Sequence, residues 1–426
     1  MGDHAMTSTS TNAEADHVAD EGRCYLFDGW FDPIEAALRE RVRDFIEAMI
    51  QSELEAALAR PRYGRQCRTG ESGAAGVAGH RHGSRSRRLT GSFGTTQIKV
   101  ARARLDAGEG RTIEWKSQAL RAYQRRTKSA DALIASSYLS GTNTRRVRRA
   151  LAALFGAGVG KDVVSRVWRQ VKAEWNAWNR RSLADEPIVR LILDGTAVRV
   201  RLDRKATSIS LLVVIGVRTD GQKMLLAVKN MGGETTEAWR AILDDLVGRG
   251  LRRPEFLIVD GAPGLDNAIA ALWEGVPVQR CTVHKLRNLL AHAPERLHEE
   301  ISCDYADMIY ATTTEEIEQR RKAFIRSWRL RHRAVADSLE EAGERLFSFT
   351  RLPPSQWKSA RTTNAIERLH EEFKRRIKTQ TVLPSAETAA MLFWALMASG
   401  QISMRKVDGW PTLPIKPVAQ QIDLAA

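Results

Sequence analysis

Cysteine is scarce in this chain. Four residues in 426, Cys24, Cys67, Cys281 and Cys303, lie far apart with no C-x2-C pair, which argues against a disulfide framework and a four-thiolate zinc site. No apolar run reaches the roughly 18 residues of a membrane span. The first residues also lack the basic-then-apolar order of a secretory leader, so a cytoplasmic chain without a membrane partner is expected. The loops and motifs that usually mark nucleotide or hydrolytic chemistry are missing too: there is no Walker loop, GxGxxG, HExxH or GxSxG.

Basic charge is abundant. Lys and Arg number 66 against 51 Asp and Glu, a formal net charge of +15, with 43% hydrophobic residues. The chain is therefore globular, long enough for two or three domains, and suited to a polyanion such as nucleic acid. The excess is local: from Arg60 to Arg104 there are eleven Lys or Arg and one acid, Glu71, among Gly, Ser and Thr.

Residues 1–21 are small, polar and acidic and read as a disordered tail. A helix is expected from Asp32, with Pro33 in its first turn and Glu35 at capping-box spacing. Its apolar stripe of Ile34, Leu38, Val42, Phe45, Met49 and Leu58 runs until Pro61 stops it. The basic block follows and ends in TTQIKVARARL, an alternating strand or hairpin arm. Residues 129–181 give three amphipathic helical pieces; the last two, TNTRRVRRALAALFG and VGKDVVSRVWRQVKAEWNAW, read as a helix-turn-helix pair or as a plain helical bundle. The arginines and lysines expected to meet DNA are Arg85, Arg87 and Arg88 of the basic block, Arg145, Arg146, Lys161 and Arg166 of the helix pair, and Arg375 and Arg376 near the end of the last charged helix.

From Pro187 the period shortens to that of strands. IVRLILDGTAVRVRL, SISLLVVIGV and MLLAV are followed by a helix capped at Thr235 or Thr236, the strand FLIV, a second helix, and the short strand PVQRC. Strands first and helices last make an α/β plan. Asp-Gly occurs three times at strand ends. Asp220-Gly221 is flanked by strands and reads as a hairpin turn; Asp260-Gly261 precedes a helical pattern, so Asp260 closes a strand. Asp194-Gly195 is open on residues alone, since TAVRVRL is either a return strand or the same strand continuing. In the late helix NAIERLHEEFKRRIK, Ile366, Leu369, Phe373 and Ile377 form the apolar stripe with Glu367 beside it. A solvated charged face is the ordinary reading of such a glutamate. Two strand-end aspartates and a helix glutamate in a basic protein point elsewhere: converging carboxylates repel unless a divalent cation neutralises them, and two Mg²⁺ about 4 Å apart serve in-line attack on a phosphodiester.

The blocks RHGSRSRRLTGSFGTTQIKVARARL, YLSGTNTRRVRRAL, LDGTAVRVR, IGVRTDGQK, EAWRAILDDLVGRGL, LIVDGAPGLDNAI, QRCTVHKLRNLL and TTNAIERLHEEFKRRIK follow one another from about residue 80 to 400. In them the chain resembles the bacterial insertion-sequence transposases of the Mutator type, a DDE family with a ribonuclease-H-like core. The resemblance implies a triad of Asp194, Asp260 and Glu367 holding two Mg²⁺, with Mn²⁺ as substitute. It also implies double-stranded DNA partners (terminal inverted repeats and target), a homodimer, and a copy-out route through a circular intermediate. The 66 positions from Asp194 to Asp260 suit two strands, a helix and a return strand, whereas the 107 from Asp260 to Glu367 call for an inserted helical subdomain; on this reading Asp194 lies within the first core strand.

The expected fold is α/β, a ribonuclease-H-like mixed sheet with an inserted all-helical subdomain, preceded by mostly helical N-terminal DNA-binding domains. After the tail come a helical and basic DNA-binding region (22–105), a helix-turn-helix-like domain (106–184), the first part of the core (185–284), the insertion (285–360), the last part of the core (361–400) and a C-terminal tail (401–426). The chain departs from the family where His370 replaces a common asparagine and where the basic block is poorer in tyrosine. Glu371 is the rival third acid, and Arg368 and Lys374 are further candidate neighbours of the site. Cys281-x2-His284 also recurs in the family near the active site. As zinc ligands the pair would need His292, His298 or Cys303; as a packed thiol and a hydrogen-bonded imidazole it needs nothing more. Trp168, Trp175 and Trp239 read as core, and Trp328 and Trp357 as candidates to stack on an unpaired base. A catalytically silent DNA-binding regulator and a structure-specific nuclease are the rival functions.

Overall fold

The computed structural model describes residues 33–58, 79–107, 111–140, 144–155, 159–202, 205–377 and 385–419. The chain divides into two compact units: Met1–Ile134 with Arg146–Gly160, and Ala135–Arg145 with Lys161–Ala426.

In the first unit a long helix, α1 (Pro33–Leu58), packs on a three-stranded antiparallel sheet of β1 (Gly79–Gly91), β2 (Gly94–Asp106) and β3 (Thr112–Glu114). Only the C-terminal half of α1 buries the stripe that its spacing suggests. Ile50 meets Leu89, Ile98 and Val100, and Leu54 and Leu58 meet Ala103, whereas Ile34, Leu38, Phe45 and Met49 are exposed. The cap expected at Asp32 and the stop at Pro61 lie outside the described residues. The basic block, expected in a mostly helical region, is strand on both arms, paired from Gly79↔Leu105 to Gly91↔Gly94. Its alternation of Ser, Arg and Thr cannot build an apolar helical stripe, and its hydrogen bonds are met across the hairpin instead.

Three helices follow, α2 (Lys128–Leu139), α3 (Thr144–Ala150) and α4 (Ala152–Phe155), and then the longer α5 (Lys161–Arg180). The division into units falls inside α2 and again after Gly160. The two helices expected to form one helix-turn-helix are thus divided, most of α3 going with the first unit and α5 with the second.

The second unit is built on a mixed sheet of five strands, β4 (Ile188–Leu202), β5 (Lys205–Arg218), β6 (Lys223–Asn230), β7 (Phe256–Val259) and β8 (Val278–Arg280), in the order β6-β5-β4-β7-β8. β4, β5 and β6 are antiparallel; β7 and β8 run parallel to β4. The turn between β5 and β6 is the expected hairpin, with Asp220 Oδ1 accepting from Gln222 N at 2.9 Å. Asp194-Gly195 is no turn: β4 continues through it, paired with β5 as far as Leu202↔Lys205.

Alternation along β4 sorts its side chains between two cores. Leu191 and Leu193 face α6 (Thr236–Gly248) and α7 (Pro263–Leu272), packing with Trp239, Leu243 and Leu265. Ile192, Val198 and Val200 face a helical layer. That layer contains α8 (Thr282–Ala291), α9 (His298–Ile309), α10 (Thr314–Arg331), α11 (Arg333–Glu341), α12 (Pro354–Ala360), α13 (Asn364–Ile377) and α14 (Ala386–Ala398). Trp175 and Trp239 are buried as expected, and Trp168 packs partly buried against the core. Trp328 and Trp357, considered for base stacking, are buried too, their indole N–H groups donating to Asp304 Oδ2 (2.9 Å) and the Leu352 carbonyl (2.8 Å). They are core residues. No described helix is long and apolar enough to cross a membrane.

Candidate active site

Parallel pairing holds β4 and β7 in register. Leu193 pairs with Val259, so the next residues, Asp194 and Asp260, stand on neighbouring strands and, by alternation, on the same face of the sheet, that of Ile192 and Ile258. Asp194 is still inside β4 and 3% exposed; Asp260 lies just beyond β7, half-buried. Its Oδ1 accepts from Ala262 N at 2.9 Å, a local turn that leads into α7 with Pro263 in the first helical turn.

Helix α13 packs against β4 and carries Glu367 to this face. Glu367 Oε1 accepts from Arg287 Nη1 at 2.7 Å and lies 3.7 Å from His284 Nε2. Glu371, the rival acid one turn on, is exposed; it is the charge of Glu367 that reaches Asp194.

The link between α12 and α13 is tied to the start of α8. Thr282 N donates to the Arg361 carbonyl at 3.0 Å, and Thr363 donates from its N–H (3.4 Å) and its hydroxyl (3.5 Å) to Cys281 Sγ. The Thr363 hydroxyl is also 3.5 Å from His284 Nδ1. Above this link the buried Arg361 guanidinium stacks over Phe349 (4.6 Å), Tyr310 (5.1 Å) and Trp357 (5.8 Å).

These contacts fix the electrostatics. Burial pushes the Asp194 carboxyl up to about 7; His284 opposes the rise, Asp260 and Glu367 add to it, and a hydrogen bond from Thr363 opposes it again. His284 is pushed up to about 9, chiefly by its hydrogen bond to Cys281, with burial opposing and the charges of Cys281, Asp194 and Glu367 reinforcing. Burial raises the Cys281 thiol, and hydrogen bonds with His284 and Thr363 outweigh it, leaving the thiol below its ordinary value.

One acid here escaped the sequence reading. Glu234, in the segment between β6 and α6, lies against β4: a Cβ on Gly195 would come within 2.3 Å of its Oε1. Burial raises its carboxyl, and Asp260 raises it further. Lying in a loop with no motif of its own, it left only the indirect signal of the glycine after Asp194.

The other expected residues divide. Arg368 and Lys374 are exposed on α13 and form no ion pair with a described acid of the group. Arg375 and Arg376 both bind Glu372, at 2.8 and 2.5 Å. Arg85, Arg88, Arg145, Arg146 and Arg166 are exposed, but Arg87 is half-buried and donates to the carbonyls of Arg121 (3.2 Å) and Gln124 (2.7 Å). The side chain of Lys161 lies outside the described residues. His298 Nε2 lies 3.0 Å from the Ala293 carbonyl. Among the described residues, no three His, Cys, Asp or Glu converge as they stand into a metal-holding group. That includes both the drafted zinc partners of Cys281 and the three acids, of which Glu367 is taken up by Arg287.

The family model of the Mutator-family transposases matches residues 30–404. The transposase for insertion sequence element ISRM5 of Rhizobium meliloti is 30% identical over 360 residues, 84% of this chain and 86% of that protein. The transposase for insertion sequence element IS256 in transposon Tn4001 of Staphylococcus aureus is 28% identical over 319 residues, 74% of this chain and 80% of its own length. The transposase for insertion sequence element IS6120 of Mycolicibacterium smegmatis is 30% identical over 256 residues, 60% and 78% of the two chains. A match across so much of the length, on a chain whose aspartates on two neighbouring strands and helix glutamate share one face of its sheet, has one reading: this protein belongs to the Mutator family of transposases.

Proposed function

We propose that this chain is a DDE transposase that binds the terminal inverted repeats of its element, nicks the transposon ends and transfers the 3′-hydroxyl to target DNA. Asp194, Asp260 and Glu367 form its triad. The observation that carries this reading is the register of β4 and β7, which sets Asp194 beside Asp260. The sheet order, three antiparallel strands then two parallel, with helices on both faces, supports reading the core as ribonuclease-H-like.

The donor set suits a hard divalent cation: three carboxylates, one of them, Asp194, buried and raised to about 7, where a neighbouring positive charge would return it to the ionised form. Bound by these three acids, Mg²⁺, or Mn²⁺ in its place, supplies the Lewis acidity that activates a hydroxyl and offsets charge on the leaving oxygen. The protein's own groups do the rest. Thr363 and Cys281 anchor the start of α13 and so fix the height of Glu367 over β4. Arg287, 59% exposed at its side chain, offers a guanidinium at the rim where a phosphate would lie. His284, protonated at neutral pH, offsets the charge of Asp194 and Glu367. Inverted repeats and target are double-stranded DNA, and two ends are brought together by a homodimer in the bacterial cytoplasm.

Strand transfer with Mg²⁺ and pre-cut ends tests the triad in Asp194→Asn, Asp260→Asn, Glu367→Gln and Glu371→Gln. The first three lose joining and the last keeps it. Asparagine at 260 can still accept the turn hydrogen bond from Ala262, so its loss of activity reports the charge and not the fold. Joining that survives Asp194→Asn, or that fails in Glu371→Gln and survives Glu367→Gln, overturns the assignment.

A further inference from the structure

Among the described residues, Glu367 is the one acid of the triad held by an ion pair: its Oε1 takes Arg287 Nη1 at 2.7 Å and lies 3.7 Å from His284 Nε2. Arg287 is unlike its neighbours on α8. Thr282 donates its N–H to the Arg361 carbonyl at 3.0 Å, and its own carbonyl accepts from Tyr305 Oη at 2.9 Å. Lys285 is buried, with Nζ donating to Ser338 Oγ at 3.0 Å and Glu341 Oε2 at 2.9 Å. The helix is thus pinned at its start and again through Lys285. Two residues on, the Arg287 side chain is 59% exposed, against 26% for Glu367; what is free to move here is the guanidinium, not the helix that carries it.

An ion pair this exposed is weak, because water competes for both partners. A phosphate is the better partner for the same guanidinium: the two meet through a pair of parallel hydrogen bonds, and arginine stays charged throughout. A divalent cation is the better partner for the carboxylate. Each side of the present pair therefore has something stronger to exchange it for when DNA and cation arrive. Until then the pairing works against the cation. While Arg287 holds Oε1, one charge of the triad is already offset, and as they stand the acids do not converge into a metal-holding group among the described residues.

We propose that Arg287 couples DNA binding to cation binding: a backbone phosphate at the rim draws its guanidinium off Glu367, and the freed carboxylate turns to the divalent cation it shares with Asp194 and Asp260. Arg287 is then a residue that contacts substrate and also positions Glu367, and the site takes its cation most readily with a DNA strand in place. Both contacts of Glu367 fall on Oε1, so in the DNA-free chain Arg287 weakens cation binding without abolishing it. This rests on the reading of Asp194, Asp260 and Glu367 as cation ligands, and the test separates its failure from the failure of that reading.

Mn²⁺ affinity of the full chain, followed by electron paramagnetic resonance of the free ion, gives a readout independent of activity. It is measured without DNA and with a pre-cut end duplex lacking its 3′-hydroxyl, so that nothing is joined, with the duplex alone as blank. Wild type is compared with Arg287→Gln, Asp260→Asn and Arg368→Gln, the last removing an exposed positive charge on α13 that pairs with no described acid of the group. In wild type the duplex is expected to raise Mn²⁺ affinity about 5- to 150-fold, the usual span of coupling between two sites, and Mn²⁺ to tighten duplex binding by the same factor. Arg287→Gln binds Mn²⁺ more tightly than wild type before DNA is added and gains less from the duplex; Arg368→Gln follows wild type. Arg287 is exposed, so the fold survives its change, and thermal melts check this. Equal Mn²⁺ affinity of wild type and Arg287→Gln without DNA overturns the proposal. So does a tighter Arg287→Gln that gains as much from the duplex as wild type, or an Arg368→Gln that tightens equally, since either outcome reduces Arg287 to a local charge. If Asp260→Asn binds Mn²⁺ as wild type, the cation site itself is misassigned and the role of Arg287 falls with it.

Discussion

His370 shows how one side chain sets a pH response. It is 5% exposed on α13, one turn beyond Glu367, with its ring edge-on to Phe393 at 5.8 Å, and its Nε2 has no hydrogen-bond partner among the described residues. Burial, helped by the charge of Lys374, pulls it down from 6.5 to about 3. The folded chain thus refuses a proton that the unfolded chain accepts at any pH between those values. The contribution to stability is present above 6.5 and is lost as pH falls toward 3, at ~1.4 kcal/mol per unit. Urea midpoints of wild type and His370→Leu should therefore converge or cross as pH falls from 7 to 5; parallel curves would show that the imidazole titrates normally. The spacing of the helix made Glu367 and His370 visible in the sequence, both beside the stripe of Ile366, Leu369 and Phe373. Nothing in that spacing told a buried imidazole from a solvated one, because what covers position 370 is Phe393, on another helix.

Elements are joined here by a few buried polar side chains. Gln279, the centre of β8, is wholly buried: its Nε2 donates to the Leu346 carbonyl at 2.7 Å, and its Oε1 accepts from Phe349 N at 2.7 Å. Gln279→Ala leaves both backbone groups unpaired in the interior, a loss of about 1–3 kcal/mol for each, measured by chemical denaturation; Gln279→Glu keeps only the acceptor and should recover part of it. In the helical layer Trp328 is fully buried, and Trp328→Ala should cost about 3–5 kcal/mol. DNA binding by the fraction that remains folded should be unchanged, which a base-stacking role for this ring would contradict. The same contrast marks what the sequence could tell. The helices α6, α7 and α13 and the Asp220 turn were legible because caps, stripes and turn chemistry are local. The course of β4 through Asp194-Gly195 was not, since whether Asp-Gly turns is decided by β5 and β7 lying alongside, and these strands begin 11 and 62 residues after Asp194. The exposed stripe of α1 is the converse case: periodicity predicted burial along the whole helix, but only Ile50, Leu54 and Leu58, in its second half, bury their side chains against the sheet.

At the scale of the whole chain, the excess of positive charge separates residues that hold the fold from residues free to meet a polyanion. Within the β1–β2 hairpin, Arg85 and Arg88 are exposed, while Arg87 between them is half-buried and holds the loop at Arg121 and Gln124 through two carbonyls. Burial lowers the Arg87 guanidinium, with Arg85 and Arg125 adding repulsion, so its environment favours a structural role. Counterion release makes the logarithm of duplex affinity fall linearly with the logarithm of salt, by about 0.9 for each phosphate neutralised. Replacing Arg85 and Arg88 together by alanine should reduce that slope by roughly 2 if each meets one phosphate, with the melting temperature unchanged. Arg87→Ala should act in the opposite sense, lowering stability by about 1–3 kcal/mol through the two carbonyls it leaves, with the slope kept in the folded fraction. Affinity measured across a salt series beside thermal melts separates the two. A slope that falls with Arg87→Ala and holds in the Arg85, Arg88 double variant would mean that the hairpin meets DNA through its packed side, and the division of charge drawn from exposure would be reversed.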